Sequence, residues 1–155
     1  MSELESKIKG VIIKPLSRVF TGNAMFSRIY HFDDKKIQDH VVYEIDTLVL
    51  LPTRTTDWNL RPSTESFVLS PVGETHLYLY DPVNKIEDTF KVGERNYIGV
   101  LIPNNIWSAF QCISKVPAYI MCLNANMREN EHPKTFPYNL NQTPPKPEAL
   151  NHGNN

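Results

Sequence analysis

The chain has 155 residues, 41% of them hydrophobic and 10% aromatic, and a formal net charge of −1. That length suits one folded core, and the near-neutral charge offers no footprint for a nucleic-acid backbone or an anionic membrane surface. The longest apolar runs, TLVLL and YIGVLI, fall far short of the roughly 20 residues that span a bilayer.

From the N-terminus onward, the polar start MSELESKIKG lacks the apolar stretch of a secretory leader, so a cytoplasmic location is expected. Short runs of β-branched, aromatic and aliphatic residues then recur between Pro, Gly, Asn and Asp. GVIIKPL, MFSRIYHF, HVVYEI, TLVLLP, ESFVLSP, ETHLYLYDP, EDTFKV, YIGVLIP, SAFQCIS and AYIMCLN all read as strands. No helical period stands out, which favours an antiparallel sandwich or barrel. In THLYLYD, Leu77 and Leu79 alternate with Tyr78 and Tyr80, so one face is aliphatic and the other phenolic. A phenolic face serves a ligand cavity or a partner sheet equally well. Cys112 and Cys122 are too few for a disulfide framework and read as buried small hydrophobes. After Met127 the composition turns to Pro, Asn and Lys. Phe136 and Tyr138 can still anchor this segment, so residues 1–140 are expected to form the domain and 141–155 a flexible tail.

Three segments carry a family resemblance. GETHLYLYDP matches a strand of the form G-x-x-x-x-x-L-Y-D, VLIPNNIWSAFQ matches I-P-x-G-x-x-H-G-F, and AYIMCLNANMRENEHPKTFPYN matches a C-terminal run ending in Pro-Tyr. Across Gly73 to Tyr138 the chain thereby resembles the cupins related to dTDP-4-dehydrorhamnose 3,5-epimerase; the first 50 residues carry little of this likeness. The resemblance implies an all-β fold, a single cupin-type jelly-roll barrel with a short C-terminal extension. It also implies a homodimer and a nucleotide-diphosphate sugar as partner, with no metal or cofactor. Asn105 stands where the family has glycine, so a positive φ is expected there, which Asn tolerates at modest cost. Trp107 and Phe110 are expected to pack into the barrel.

The expected chemistry is proton removal next to a C4 ketone, with the resulting oxyanion stabilised electrostatically. In the family this work falls to a histidine in an R-G-L-H-Y-Q segment. RTTDWN is the matching stretch, with Arg54 for the arginine, Asn59 for the glutamine and Asp57 for the histidine. A carboxylate can act as a carbon-proton base when its pKa is raised; the plainer role for Asp57 is to cap a turn or pair with Arg54 or Arg61. An alternative alignment, to the metal-binding cupin pattern H-x-H-x-x-x-x-E, puts Trp58 and Leu60 at the histidines and Ser108 at a third one. None of these is a competent ligand set, so no metal is expected. The resemblance implies a tyrosine returning the proton from the opposite face, for which Tyr119 is the candidate. Arg54, Arg61, Lys85 and Arg95 are candidates for holding a diphosphate, and Tyr78, Tyr80, Trp107, Tyr119 and Tyr138 for stacking on a base or sugar. His76 shares the phenolic face by alternation, and Ser108 faces the substrate if the alignment holds. The other histidines (His31, His40, His132 and His152) sit at strand ends or in the C-terminal segment. Two functions remain: a sugar-nucleotide epimerase or isomerase in deoxysugar or polysaccharide synthesis, or a catalytically inactive binding or interaction module.

Overall fold

Alternating side chains make a strand two-faced, and the faces must each find cover. The computed structural model describes residues 5–29, 41–125, 131–139 and 142–144. Its elements are β1 (Ile12–Pro15), β2 (Arg18–Thr21), β3 (Ala24–Ser27), β4 (Val42–Leu50), β5 (Trp58–Leu60), β6 (Glu65–Val72), β7 (Glu74–Asp81), β8 (Ile86–Gly93), β9 (Ile98–Ile102), β10 (Trp107–Cys112), β11 (Ala118–Ala125) and β12 (Lys134–Phe136). No helix occurs among the described residues. One antiparallel sheet has the order β1-β9-β6-β11-β4 and the other β12-β5-β10-β7-β8, while β2 and β3 form a separate hairpin. The two five-stranded sheets pack as a jelly roll, the all-β architecture expected.

The strand boundaries refine the sequence reading. HVVYEI and TLVLLP form one nine-residue strand, β4. RVFT, WNL and KTF are strands that composition alone did not mark, because each is only three or four residues long. His31, His40, His152 and nearly all of the expected tail lie outside the described residues; within 142–144, Gln142 bridges back to Asn139.

The core between the sheets is aliphatic, with Val68, Leu77, Leu79, Phe90, Val92, Val100, Ile102, Phe110 and Ile120 all buried in it. Each such side chain contributes about 1.5–3 kcal/mol by leaving water. Two further clusters cover the outer faces. Phe67, Leu69, Leu101 and Leu123 lie behind the first sheet. Trp58, Leu60, Tyr80, Trp107 and Ala109 lie behind the second, with Tyr78, Phe136 and Tyr138 packed over them. Here one expectation is corrected: Phe110 enters the barrel, but Trp107 does not. Residues three apart on a strand point to opposite faces, so the two rings cannot share one.

The corner before β10 turns as anticipated: Asn105 has φ 61°. Its N–H donates to the Arg61 carbonyl at 2.9 Å, so this left-handed residue ties the β9–β10 corner to the end of β5. Both cysteines are free thiols.

Candidate functional site

The two sheets do not close completely. Between them lies an open cavity of about 320 Å³, within the size range of small-ligand sites. Inward positions of four first-sheet strands supply Asp46 and Leu48, Ser66 and Val68, Ile102, and Cys122 and Asn124; the second sheet supplies Asn59, Ser108, Phe110 and Thr135. Thr56, Asp57, Arg61, Thr64, Pro103 and Ile106 complete the lining from the connecting segments. One part of the wall is therefore apolar (Leu48, Val68, Ile102, Ile106, Phe110) and the rest carries hydroxyls, amides, carboxylates and a guanidinium.

Four of the residues singled out from sequence meet here: Asp57, Asn59, Arg61 and Ser108. Asp57 accepts a hydrogen bond from the Tyr138 backbone N–H at 3.3 Å. The Ser108 hydroxyl reaches the Asn59 carbonyl only at 3.4 Å, a weak contact that leaves it available to another partner. Arg61 lies 3.5 Å from Asp46 and 3.8 Å from Glu44.

The remaining candidates lie elsewhere, those on strands for reasons of parity and the rest in connections. His76, Tyr78 and Tyr80 alternate with the core residues Leu77 and Leu79 on β7 and so face outward. On that outer face the Tyr78 hydroxyl donates to Gln111 Oε1 at 2.6 Å, and the Tyr138 ring lies 5.6 Å from both Tyr78 and Trp58. Burial, followed by the neighbouring Tyr78 and Glu87, pushes the Tyr138 phenol up to about 12. Trp107 is wholly buried beneath this layer. Tyr119 is 48% exposed on the outer face of the first sheet, and its neighbour Ile120 points inward. A proton donor working inside the barrel cannot be Tyr119 in this geometry. Arg54 is exposed in the β4–β5 connection, Lys85 sits at φ 57° in the β7–β8 hairpin, and Arg95 is exposed in the β8–β9 connection. None of these three lines the cavity.

Parity also separates the residues of the two alignments. Trp58 and Leu60 point away from the cavity, whereas Asn59 lines it, as Asp57 does just before the strand. The positions that match the epimerase histidine and glutamine are thus the ones that reach the interior. No group of three or more His, Cys, Asp and Glu able to hold a metal ion occurs among the described residues.

Sequence reasoning missed the polar cluster opposite. The Asn124 side chain, fully buried, donates to Glu44 Oε2 at 3.0 Å and to Asp46 Oδ2 at 2.9 Å, and accepts from the Ser66 hydroxyl at 2.7 Å. Beside it, burial and then the charge of Asp46 push the Cys122 thiol up to about 11, so it is neutral near pH 7. The available signal was polarity at inward positions: Glu44 and Asp46 on β4, and Asn124 on β11.

An aromatic-backed jelly roll with an open, mixed polar cavity between its sheets is a cupin-type barrel. Solved structures with this fold include sugar-nucleotide isomerases and epimerases. A dTDP sugar isomerase from Desulfovibrio desulfuricans G20 superposes with a TM-score of 0.78 at 21% identity, over 86% of this chain and 88% of that one. A dTDP-6-deoxy-D-glucose-3,5-epimerase from Legionella pneumophila Philadelphia 1, solved with dTDP-4-keto-L-rhamnose, gives 0.73 at 10% identity, over 84% and 74%. A TDP-quinovose 3,4-ketoisomerase from Campylobacter jejuni gives 0.65 at 15% identity, over 79% and 90%. At these identities the likeness establishes the shared fold. No family model matches the chain, and no curated protein sequence matches it.

Proposed function

We propose that the chain takes the hexose of a dTDP-type 4-keto-sugar nucleotide into the barrel cavity and isomerises or epimerises it, in deoxysugar or polysaccharide synthesis. The observation that carries this reading is the convergence of Asp57, Arg61, Asn59 and Ser108 on one cavity, in a fold shared with enzymes of that kind. Asp57 is the base: it takes the proton from the carbon next to the ketone. The C–H electron pair moves into a carbon–carbon double bond, and the ketone oxygen becomes an enolate oxygen. Ser108 and Thr135 hydroxyls and the Asn59 amide are the donors available to that oxygen. The apolar wall suits the methyl group of a 6-deoxy sugar, and Arg61 suits the diphosphate.

Solvent deuterium appearing at C3 or C5 of a dTDP-4-keto-6-deoxyhexose tests the assignment. Exchange is expected with the native chain and is expected to fall at least about 100-fold in Asp57→Asn, the usual scale for losing a general base. Saturable dTDP-sugar binding without any exchange would instead identify a binding module.

The same reading includes a homodimer in the cytoplasm. Its support is apolar surface: on the edge strand β4, Tyr43, Ile45 and Val49 are exposed, as are Tyr119 beside them and Phe20 and Phe26 on the β2–β3 hairpin. Exposed apolar surface along a sheet edge that no described strand pairs is what an interface covers. Light scattering is expected to give twice the monomer mass of 17.9 kDa.

A further inference from the structure

Among the described residues that line the cavity, Arg61 alone carries a positive charge, and it is already engaged. Its Nη2 lies 3.5 Å from Asp46 Oδ2 and its Nη1 lies 3.8 Å from Glu44 Oε2. Both distances exceed the roughly 2.7–2.9 Å of a charge-assisted hydrogen bond. The guanidinium is shared between two carboxylates and gripped closely by neither. The carboxylates, by contrast, are held firmly. One amide nitrogen, that of Asn124, donates to both of the oxygens that face Arg61, and the amide is locked from its other end by Ser66. Asn124 has no solvent exposure, and a buried polar side chain satisfied in this way keeps a single orientation. The arrangement therefore has a fixed half, Glu44–Asn124–Asp46, and a movable half, Arg61. The backbone of Arg61 is pinned by Asn105 at the cavity rim, while its side chain makes, among the described residues, only the two long contacts to Glu44 and Asp46.

We propose that Arg61 is the residue that takes the phosphate of a nucleotide ligand, and that Glu44 and Asp46 are built-in competitors for it. An incoming diphosphate offers closer, bidentate acceptors and draws the guanidinium away. The carboxylates stay where Asn124 holds them and become acceptors for hydroxyls of the sugar. The competition sets selectivity: an anion too weakly charged to displace two carboxylates does not capture Arg61. This inference rests on the cavity being a nucleotide-sugar site, but concerns what governs its affinity.

The test is calorimetric titration of the full chain with dTDP and, separately, with thymidine, which lacks the phosphates. Glu44→Gln/Asp46→Asn preserves the shape of the cluster and removes the competitors. It is expected to bind dTDP about two- to fivefold more tightly than the native chain, the scale of a solvent-screened ion pair, with thymidine affinity unchanged. Arg61→Gln is expected to lose most dTDP affinity and to be insensitive to the same two substitutions. Should the double variant fold poorly, Glu44→Gln alone, which leaves the closer Asp46 contact to Arg61 in place, is expected to show part of the tightening. Equal or weaker dTDP binding by the carboxylate variants, with the native chain binding dTDP, overturns the competition and leaves the nucleotide-sugar reading standing. Absence of dTDP binding in every form overturns both.

Discussion

The two faces of the second sheet are built from neighbouring residues and do different work. On β10, Trp107 and Ala109 lie behind the sheet, sealed under Phe136 and Tyr138, while Ser108 and Phe110 look into the barrel. On β7 the phenols go out and the leucines go in. The outer face is rich in packed aromatic area and carries a separate cavity of about 400 Å³ beside Trp58, Tyr78 and Tyr138. The inner face is half core and half cavity, with its polar groups concentrated where β5, β10 and β12 meet the mouth. Aromatic content therefore does not mark the inward face of this sheet; polar residues reach it on β5, β10 and β12.

The comparison breaks most decisively at Trp107. Its substitution by alanine removes a fully buried indole from the outer layer and is expected to cost about 3–5 kcal/mol in urea unfolding. At temperatures where the variant is still folded, dTDP affinity is expected to stay native, because the ring never touches the cavity. One residue further on the expectation reverses. Ser108→Leu projects an isobutyl group into the open cavity; stability is expected to change by no more than about 1 kcal/mol, while dTDP-sugar binding is lost in calorimetry.

A smaller effect sharpens the outer face alone. The Tyr138 phenol titrates at about 12, against about 10 for a free tyrosine. Because the folded chain holds this proton more tightly than the unfolded chain, its contribution to stability is complete below pH 10. It is lost as pH rises from about 10 through 12. Spectrophotometric titration is expected to show a late tyrosinate that is absent in Tyr138→Phe.

Much of this fold was legible because β-branched and aromatic runs bounded by turn residues mark strands directly, and the resemblance put Asn105 at a glycine position, where the left-handed turn is found. Which face of each strand looks inward was not. Alternation reports that Tyr78 and Leu77 are on opposite sides, but both sides of the second sheet are covered, so neither composition nor period says which is the interior. On β4 the ordinary rule runs backward: Tyr43 and Ile45 are exposed, while Glu44 and Asp46 turn toward Asn124. A reader expecting apolar residues inside assigns that strand the wrong way round, and so misses the cluster. The stacking candidates Tyr78, Tyr80 and Trp107 lie on the outer face for this reason, and Arg54, Lys85 and Arg95 lie in connections away from the cavity, whereas Asp57 and Arg61, next to a strand whose polar residue faces in, line it.

The most direct test of the whole account is a two-dimensional amide spectrum of the chain titrated with dTDP. Saturable shifts are predicted for the side-chain amides of Asn59 and Asn124 and the backbone amides around Asp57 and Ser108, with the wholly buried indole of Trp107 unmoved. Shifts confined to Trp58, Tyr78 and Tyr138 on the outer face, with the cavity residues silent, would contradict it.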